Sequence, residues 1–180
     1  DQMAVHLPLS IEAQVEAHTL MMSVHNIFSP SNGAPIISPS QDVVMGSYYM
    51  TTMLPERSGE GMVFSSVDEV VLAYSLGKLD THAKIKVQFP PGTTVKVDTS
   101  EDAVEQRIIE TTVGRVIFNS VLPEGMAFYN LPLRSGDLAK VISDCYAELG
   151  RGATIILLDD MNRNGFSEAT RSGLSFATDD

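Results

Sequence analysis

The feature of this sequence that most constrains its fold is a change of hydrophobic period within a largely helical chain. Residues 83–89 alternate apolar and polar side chains, as a strand with one exposed face does. A Pro-Pro-Gly turn follows, and residues 94–97 are predicted to return as a second strand. An acidic loop at residues 100–105 leads to a further segment at residues 107–112. The sequence therefore predicts a mixed α+β chain that is mainly helical with a small β insertion.

The helices on either side of this insertion are predicted from capping residues and apolar periodicity. Ser10 and Ser40 each precede an apolar run, and Gly77 follows a third run. Gly46 lies inside a predicted helix, where glycine costs about 1 kcal/mol relative to alanine, so it predicts close packing against another backbone. The predicted helices are residues 11–24, 41–53, 67–76, 136–149, 155–162 and 166–172; residues 113–122 fit a helix or a strand, and residues 3–9 and 174–177 read as strands.

Composition excludes several classes of protein. Hydrophobic residues make up 43% of the chain, which indicates an ordinary packed core. No apolar run approaches the roughly 18 residues that span a membrane. The formal net charge of −11 repels phosphate backbones, so the chain alone should not form a duplex-binding face. Cys145 is the only cysteine, which excludes an intrachain disulfide or cysteine zinc cluster and fits a reducing compartment.

The candidate reactive side chains have plainer explanations. His18 and His25 lie two helical turns apart and could ligate a metal, but no third ligand has a suitable spacing. Asp159 and Asp160 are adjacent, so on a helix they point in different directions and are expected to face solvent. Cys145 lies on an apolar helix face and is expected to pack rather than react. The chain contains no phosphate loop, dinucleotide fingerprint, nucleophile elbow or metalloprotease motif.

The first ten residues, Asp-Gln-Met-Ala-Val-His-Leu-Pro-Leu-Ser, have neither an initiator methionine nor a signal peptide, and we expect them to have been cut from a longer chain. They resemble the end of the signature Asn-Ala-Asp-Phe-Asp-Gly-Asp-Gln-Met-Ala-Val-His of the largest subunit of bacterial RNA polymerase, β′, starting at its third aspartate. Further matches follow in the order of that family: Glu12-Ala13-Gln14, Met21-Met22-Ser23, Asn26-Ile27, Ser29-Pro30, Asn32-Gly33, Pro35-Ile36, Pro39-Ser40-Gln41-Asp42-Val43-Val44, Gly46, Tyr48-Tyr49-Met50-Thr51, Gly59-Glu60-Gly61-Met62, Thr111-Thr112-Val113-Gly114-Arg115, Cys145-Tyr146 and Ala169-Thr170-Arg171-Ser172-Gly173.

The resemblance implies that two regions of the chain have different roles. Residues 1–30 would be the C-terminal end of the catalytic double-psi β-barrel domain, including its last strand, and residues 31–180 the pore or funnel domain around the channel for NTPs. Asp1 would be catalytic as one of three aspartates that bind Mg²⁺, the other two lying outside this chain. Gln41 and Gln2 would line the substrate channel, although Gln41 could equally be a helix cap. In the family, two Mg²⁺ ions activate the RNA 3′-oxygen and stabilise the in-line displacement.

The resemblance also implies partners and a location. The partners would be the β, α-dimer, ω and sigma subunits together with template DNA, RNA and NTPs, in the bacterial cytoplasm near the nucleoid and without a membrane. Some family members bind the alarmone guanosine tetraphosphate beside ω. Ile156 and Asp159 match that pattern, but Gly152 stands where a lysine would bind phosphate and Arg163 where a tyrosine would lie. We therefore expect no alarmone site here.

Two functions remain open at this point. The chain could be an enzymatic section of β′ in DNA-directed RNA polymerase, a nucleotidyltransferase that makes RNA from a template. It could instead be a separately encoded, non-catalytic structural or interaction module of a split polymerase subunit. The N-terminal sequence of the cellular protein would separate them, because only the first requires Asn-Ala-Asp-Phe-Asp-Gly directly before Asp1.

Overall fold

The computed structural model describes residues 2–99 and 103–175. It divides the chain into two compact units, Asp1–Ile37 and Ser38–Asp180. The first unit is short and mostly exposed, and the second contains most of the core. The α+β class predicted from the sequence is confirmed, with helices and two small sheets.

The first unit contains one short α-helix, α1 (Ile11–Glu16), capped by the Ser10 hydroxyl, which accepts a hydrogen bond from the Ala13 amide at 3.1 Å. The chain continues as a π-helical turn at Ala17–Met21 and a 3-10 turn at Ser23–His25. The helix predicted over residues 11–24 is therefore helical to Met21, with its second half in π-helical form, and it ends at Met22, whose backbone is extended. The Asn26 side-chain amide donates to the Leu20 and Met22 carbonyls at 2.7 and 3.0 Å, which closes the helical segment.

One further expectation for this unit is wrong. The strand predicted at residues 3–9 is absent, because no described strand of the unit pairs with these residues. Helix α1 has no buried residue, and Ile11 is 77% exposed. The reason is that no other described element of this unit is large enough to cover its apolar faces. The chain turns at Asn32-Gly33, where Gly33 has φ 69°.

The described residues of the second unit form four helices and six short strands. Residues 113–121, which the sequence left open between helix and strand, form a helix, and the Thr112 hydroxyl caps it by accepting from the Arg115 amide at 3.3 Å. The helices are α2 (Asp42–Thr51), α3 (Val67–Ser75), α4 (Val113–Val121) and α5 (Ser135–Ser172); the strands are β1 (Val63–Phe64), β2 (Lys84–Gln88), β3 (Thr94–Lys96), β4 (Val104–Glu105), β5 (Ile108–Thr112) and β6 (Phe128–Tyr129).

The strands form two sheets, in the orders β1-β2-β5 and β4-β3-β6. The alternation predicted for β2 is confirmed, since Ile85 and Val87 are buried between exposed neighbours. The second strand predicted at residues 94–97 is present as β3, which pairs with β4 and β6. Strand β2 pairs instead with β5 in antiparallel register, Lys84 opposite Thr112. Prolines lack the amide proton that a ladder needs, so the Pro-Pro-Gly turn releases the chain into the second sheet. Of the predicted acidic loop, residues 100–102 lie outside the described residues.

The main hydrophobic core lies where α3 and α4 cover the first sheet. Val70 of α3 and Val113 of α4 are fully buried there. Both ends of α3 are capped: the Ser66 hydroxyl accepts from the Glu69 amide at the start. Gly77, which the sequence places after the helix, takes φ 70°. The buried members of this core are Phe64, Val70, Leu79, Ala83, Ile85, Val87, Phe89, Val95, Ile109, Val113, Val116 and Phe128.

Helix α2 lies between two helices that approach it at glycines. A Cβ built on Gly46 would overlap the Gly165 carbonyl oxygen of α5 and lie 2.7 Å from the Ala169 nitrogen. A Cβ on Gly114 of α4 would likewise overlap the Met50 carbonyl oxygen of α2. The close backbone packing predicted at Gly46 is therefore confirmed.

Helix α5 corrects the prediction of three separate helices. The break predicted at Gly150 is present, with φ 77° and ψ −177°, but the helix continues through Gly165 to Ser172. The sequence predicts a break between residues 162 and 166, whereas Gly165 lies inside the helix and its missing side chain makes room for Val43 of α2. Of the predicted strand at residues 174–177, the described residues 174 and 175 form none, and residues 176 and 177 lie outside the described residues.

Replacement of Gly46 by alanine should destabilise the chain by about 3 kcal/mol, because the added methyl must push α5 away from α2. Gly152→Ala on α5 is the matched control, since nothing lies within 4 Å of the position that its Cβ would take. The control should stabilise by about 0.5–1 kcal/mol through helix propensity. Urea unfolding followed by circular dichroism measures both; equal stability of the two variants would contradict this packing.

Candidate functional site

Gln41 stands at the start of α2 in an unusual backbone conformation. Its φ is 48° and its ψ −119°, a region that side chains rarely adopt and that costs on the order of 1–3 kcal/mol. The side chain is exposed and makes no capping hydrogen bond. Ser40, the predicted cap, lies one residue too early, and its carbonyl rather than its hydroxyl accepts from the Val43 amide at 3.2 Å. The side-chain amide of Gln41 is therefore exposed at the surface and does not cap the helix.

The opposite end of α2 is fixed by side chains from distant parts of the chain. Arg115 Nε donates to the Thr51 carbonyl oxygen at 2.9 Å, and His82 Nδ1 lies 2.9 Å from the Thr52 carbonyl oxygen. The Leu133 amide donates to the Thr51 hydroxyl at 2.9 Å. The Arg115 cation suits the partial negative charge at a helix C-terminus. These bonds, with the glycine contacts, hold α2 as a rigid support for Gln41.

Arg115 is the centre of this attachment. It matches the family pattern in sequence, but its role here could not be predicted. It is buried, and its guanidinium also donates to Asn130 Oδ1 at 3.0 Å. Burial lowers the pKa of Arg115, although a guanidinium stays charged at neutral pH. The bond to Thr51 crosses 64 residues of sequence, so no local spacing could have indicated it.

A second polar cluster joins the smaller sheet to α5. Asp144 Oδ2 accepts from Lys96 Nζ at 2.7 Å and from the Tyr129 hydroxyl at 2.8 Å. Burial by itself raises the pKa of Asp144, but the hydrogen bonds from Lys96 and Tyr129 outweigh it and hold that pKa below its ordinary value. Burial, followed by the bond to Asp144, raises the pKa of Tyr129. The lowered pKa of Asp144 and the raised pKa of Tyr129 keep the first ionised and the second neutral near neutral pH, which suits a structural role.

The positions matched to the alarmone pattern share one exposed face of α5. Gly152, Ile156, Asp159 and Arg163 follow one another at intervals of four, three and four residues, and all four are exposed. The nearest ion pair on this face joins Arg163 to Asp160, with the two charged groups 3.5 Å apart. Gly152 offers no cation, so the expectation of no alarmone site stays a prediction.

The metal ligand expected from the sequence cannot be placed, because Asp1 lies outside the described residues. Gln2 is exposed. Over residues 2–99 and 103–175, no group of three or more His, Cys, Asp or Glu side chains could hold a metal ion, and this includes His18 and His25. Cys145 is buried, its pKa raised by burial, as expected for a packing residue. Within the described parts of the chain, no helix is both long and apolar enough to cross a membrane.

The geometry defines a scaffold that presents exposed polar residues from a rigidly held helix. A sequence model of the family described as RNA polymerase Rpb1, domain 3, matches residues 26–180, and the chain belongs to that family. All 180 residues align at 63% identity with the DNA-directed RNA polymerase subunit beta' of Rhodopirellula baltica. The corresponding subunits of Stenotrophomonas maltophilia and Shewanella baltica are 45% and 46% identical across the whole chain. The chain spans only 12 to 13% of the length of these relatives.

Asp144→Asn should destabilise the second unit by about 2–3 kcal/mol, because it leaves Lys96 and Tyr129 without their charged acceptor. Asp160→Asn, which breaks only the exposed pair with Arg163, is the matched control and should cost less than about 0.5 kcal/mol. Chemical denaturation of both variants at pH 7 measures the difference.

The contribution of Asp144 should also depend on pH with a defined sign. Its pKa is lower in the folded chain than in the unfolded chain, so the stabilisation is complete above about pH 4. It should be lost as pH falls through the lowered folded pKa. The stability gap between the parent chain and Asp144→Asn should therefore narrow below pH 4; a gap that widens there would contradict the assignment.

Proposed function

We propose that this chain is a section of a β′-type subunit of DNA-dependent RNA polymerase and acts in template-directed RNA synthesis. The observation that carries the proposal is the match of all 180 residues, at 63% identity, to a protein of that name. In the relatives this sequence forms 12 to 13% of one longer polypeptide, which favours the enzymatic section over a separately encoded module. The partners would then be the remaining polymerase subunits, with template DNA, RNA and NTPs.

We assign residues 31–180 to the wall of the channel through which NTPs reach the active site. The support is the arrangement of α2, whose body is fixed by Gly46, Gly114 and Arg115 while Gln41, the residue before its first turn, stays exposed. A glutamine amide both donates and accepts hydrogen bonds, so Gln41 can contact a passing nucleotide without adding charge. A rigid support keeps that contact in place, which is what a positioning residue requires.

We assign residues 1–30 to the end of the catalytic domain, where Asp1 supplies one Mg²⁺ ligand. Carboxylate oxygens are the ligands that Mg²⁺ prefers, and Mg²⁺ when bound supplies charge stabilisation to phosphoryl transfer. The described residues do not form such a site by themselves. The alternating apolar side chains at Met3, Val5, Leu7 and Leu9 are exposed, which fits a segment that other parts of a polymerase cover.

The channel assignment is tested in the full-length subunit, assembled into polymerase. Gln41→Ala should raise the KM for NTPs by about 3- to 10-fold, the loss expected from one hydrogen bond, with the maximal rate of RNA extension nearly unchanged. Gln88→Ala, at an exposed position of β2, is the matched control and should change neither constant.

Gln41→Gly separates function from stability at the same position. Glycine adopts a positive φ without steric cost, so this variant should fold at least as stably as the parent while showing the raised KM. An unchanged KM in both Gln41 variants would rule out a role in the channel, whatever their stability.

The metal assignment predicts that the 180-residue chain binds Mg²⁺ no better than any exposed carboxylate, because the other two aspartates of the signature are absent. Isothermal titration of Mg²⁺ into the chain should show only weak, non-saturating heats in the millimolar range. In assembled polymerase, Asp1→Asn should lower the extension rate by at least about 100-fold. A saturable micromolar site in the isolated chain would refute the shared-site assignment.

A further inference from the structure

Helix α2 is buried on one side and open on the other. On the buried side Gly46 meets α5 and Met50 meets α4. The buried residues of α2 are Val43, Gly46, Ser47, Met50 and Thr51. Successive residues of an α-helix are about 100° apart, so the side opposite this arc carries Gln41, Met45 and Tyr48. These three residues form the open stripe of α2, in which Gln41 and Tyr48 are exposed and Met45 is half-buried.

Tyr48 is the aromatic residue of the open stripe, and it is 41% exposed. The adjacent Tyr49 is different, because its ring meets the His82 ring edge to face, with the ring centroids 4.5 Å apart. Side chains on an α-helix lean towards the helix N-terminus. The Tyr48 ring therefore covers the surface beside Met45, one turn closer to Gln41 than its own backbone.

The open stripe carries no charge, in a chain whose formal net charge is −11. Asp42, the charged residue of α2, lies about 100° around the helix from Gln41. A carboxylate on the stripe would repel the phosphates of an NTP, and a lysine or arginine would retain them. An uncharged surface suits a ligand in transit, because the ligand must bind weakly enough to leave again.

The two exposed side chains of the stripe match the two kinds of surface on a nucleotide. An aromatic ring stacks on the flat face of any base, and a glutamine amide hydrogen-bonds to polar groups. The rise from Gln41 to Tyr48 is about 10 Å, and the lean of Tyr48 shortens it. Strained backbone such as that of Gln41 clusters at ligand sites. A covering segment of polypeptide would instead favour an apolar stripe, which an exposed glutamine interrupts.

We propose that Tyr48 is a second substrate-contact residue of α2, whose ring stacks on the base of an NTP while Gln41 bonds to the same nucleotide. The inference rests on the proposed function, because it takes α2 as part of the channel wall. Stacking tolerates every base, so this contact serves all four NTPs. Purines have the larger ring system and gain more from it.

The test uses the full-length subunit, assembled into polymerase, and measures the KM for each NTP. Tyr48→Ala should raise each KM by about 5-fold through the loss of one stacked base, and by more for ATP and GTP than for CTP and UTP. The maximal rate of RNA extension should stay nearly unchanged. Tyr48→Leu, which keeps an apolar side chain without a ring, should raise the KM equally, whereas Tyr48→Phe should restore the parent value.

Pyrophosphate separates stacking from a distorted channel, because it carries the charge of phosphate groups and has no base. Its KM in the reverse reaction should be the same in Tyr48→Ala as in the parent polymerase. Tyr146→Ala is the matched control, since this tyrosine of α5 is 43% exposed. It should change the KM of no NTP.

A KM that rises in Gln41→Ala but not in Tyr48→Ala would overturn this inference and leave the channel assignment intact. Unchanged KM values in both variants would overturn the inference and the channel assignment together. Parent KM values in Tyr48→Leu would mean that Tyr48 packs against polypeptide, and an equal rise for pyrophosphate would mean that the channel is distorted. Either result would also overturn the stacking contact.

Discussion

The close approach of three helix backbones is the constraint on which the second unit depends. Gly46 and Gly165 let α2 and α5 meet without side chains between them, and Gly114 does the same for α2 and α4. Backbone contact brings many weak dispersion contacts together over a short length of helix. The helices also cannot slide past one another, because a Cβ brought to any of these points would meet a carbonyl oxygen. The lack of side chains at these three glycines therefore determines the position of α2 and, with it, that of Gln41.

Polar interactions complete what the glycines begin. The carbonyl groups at the end of α2 need partners because the helix supplies none, and Arg115 and His82 provide them from two other elements. The charged cluster around Asp144 ties the smaller sheet to α5 in the same way. Each of these polar groups would be costly to bury without a hydrogen-bond partner. Because the partners come from different elements, the arrangement in which all these hydrogen bonds form is strongly preferred.

Features with a local cause could be predicted from the sequence, and features with a distant cause could not. The alternation of β2 and the close contact at Gly46 follow from side-chain period and glycine cost, and the structure agrees. The break predicted between residues 162 and 166 is wrong because a glycine that ends a helix and one that admits a neighbouring helix, as Gly165 does, look alike in sequence. The attachment of Arg115 to Thr51 has no local signal. The positive φ of Gln41 could not be foreseen, since glutamine has no preference for it.

Strand β5 passes directly into α4 without a loop, because Thr112 is both the last residue of the strand and the cap of the helix. The register of β5 and the rotation of α4 about its axis are therefore coupled, and neither can change without the other. A slip of β5 by a single residue against β2 would turn its side chains to the opposite face of the sheet and rotate α4 by about 100°, which would carry Gly114 away from Met50. Changes of chain length during evolution should be confined to segments outside β2, β5 and α4, where the register is not transmitted to α2.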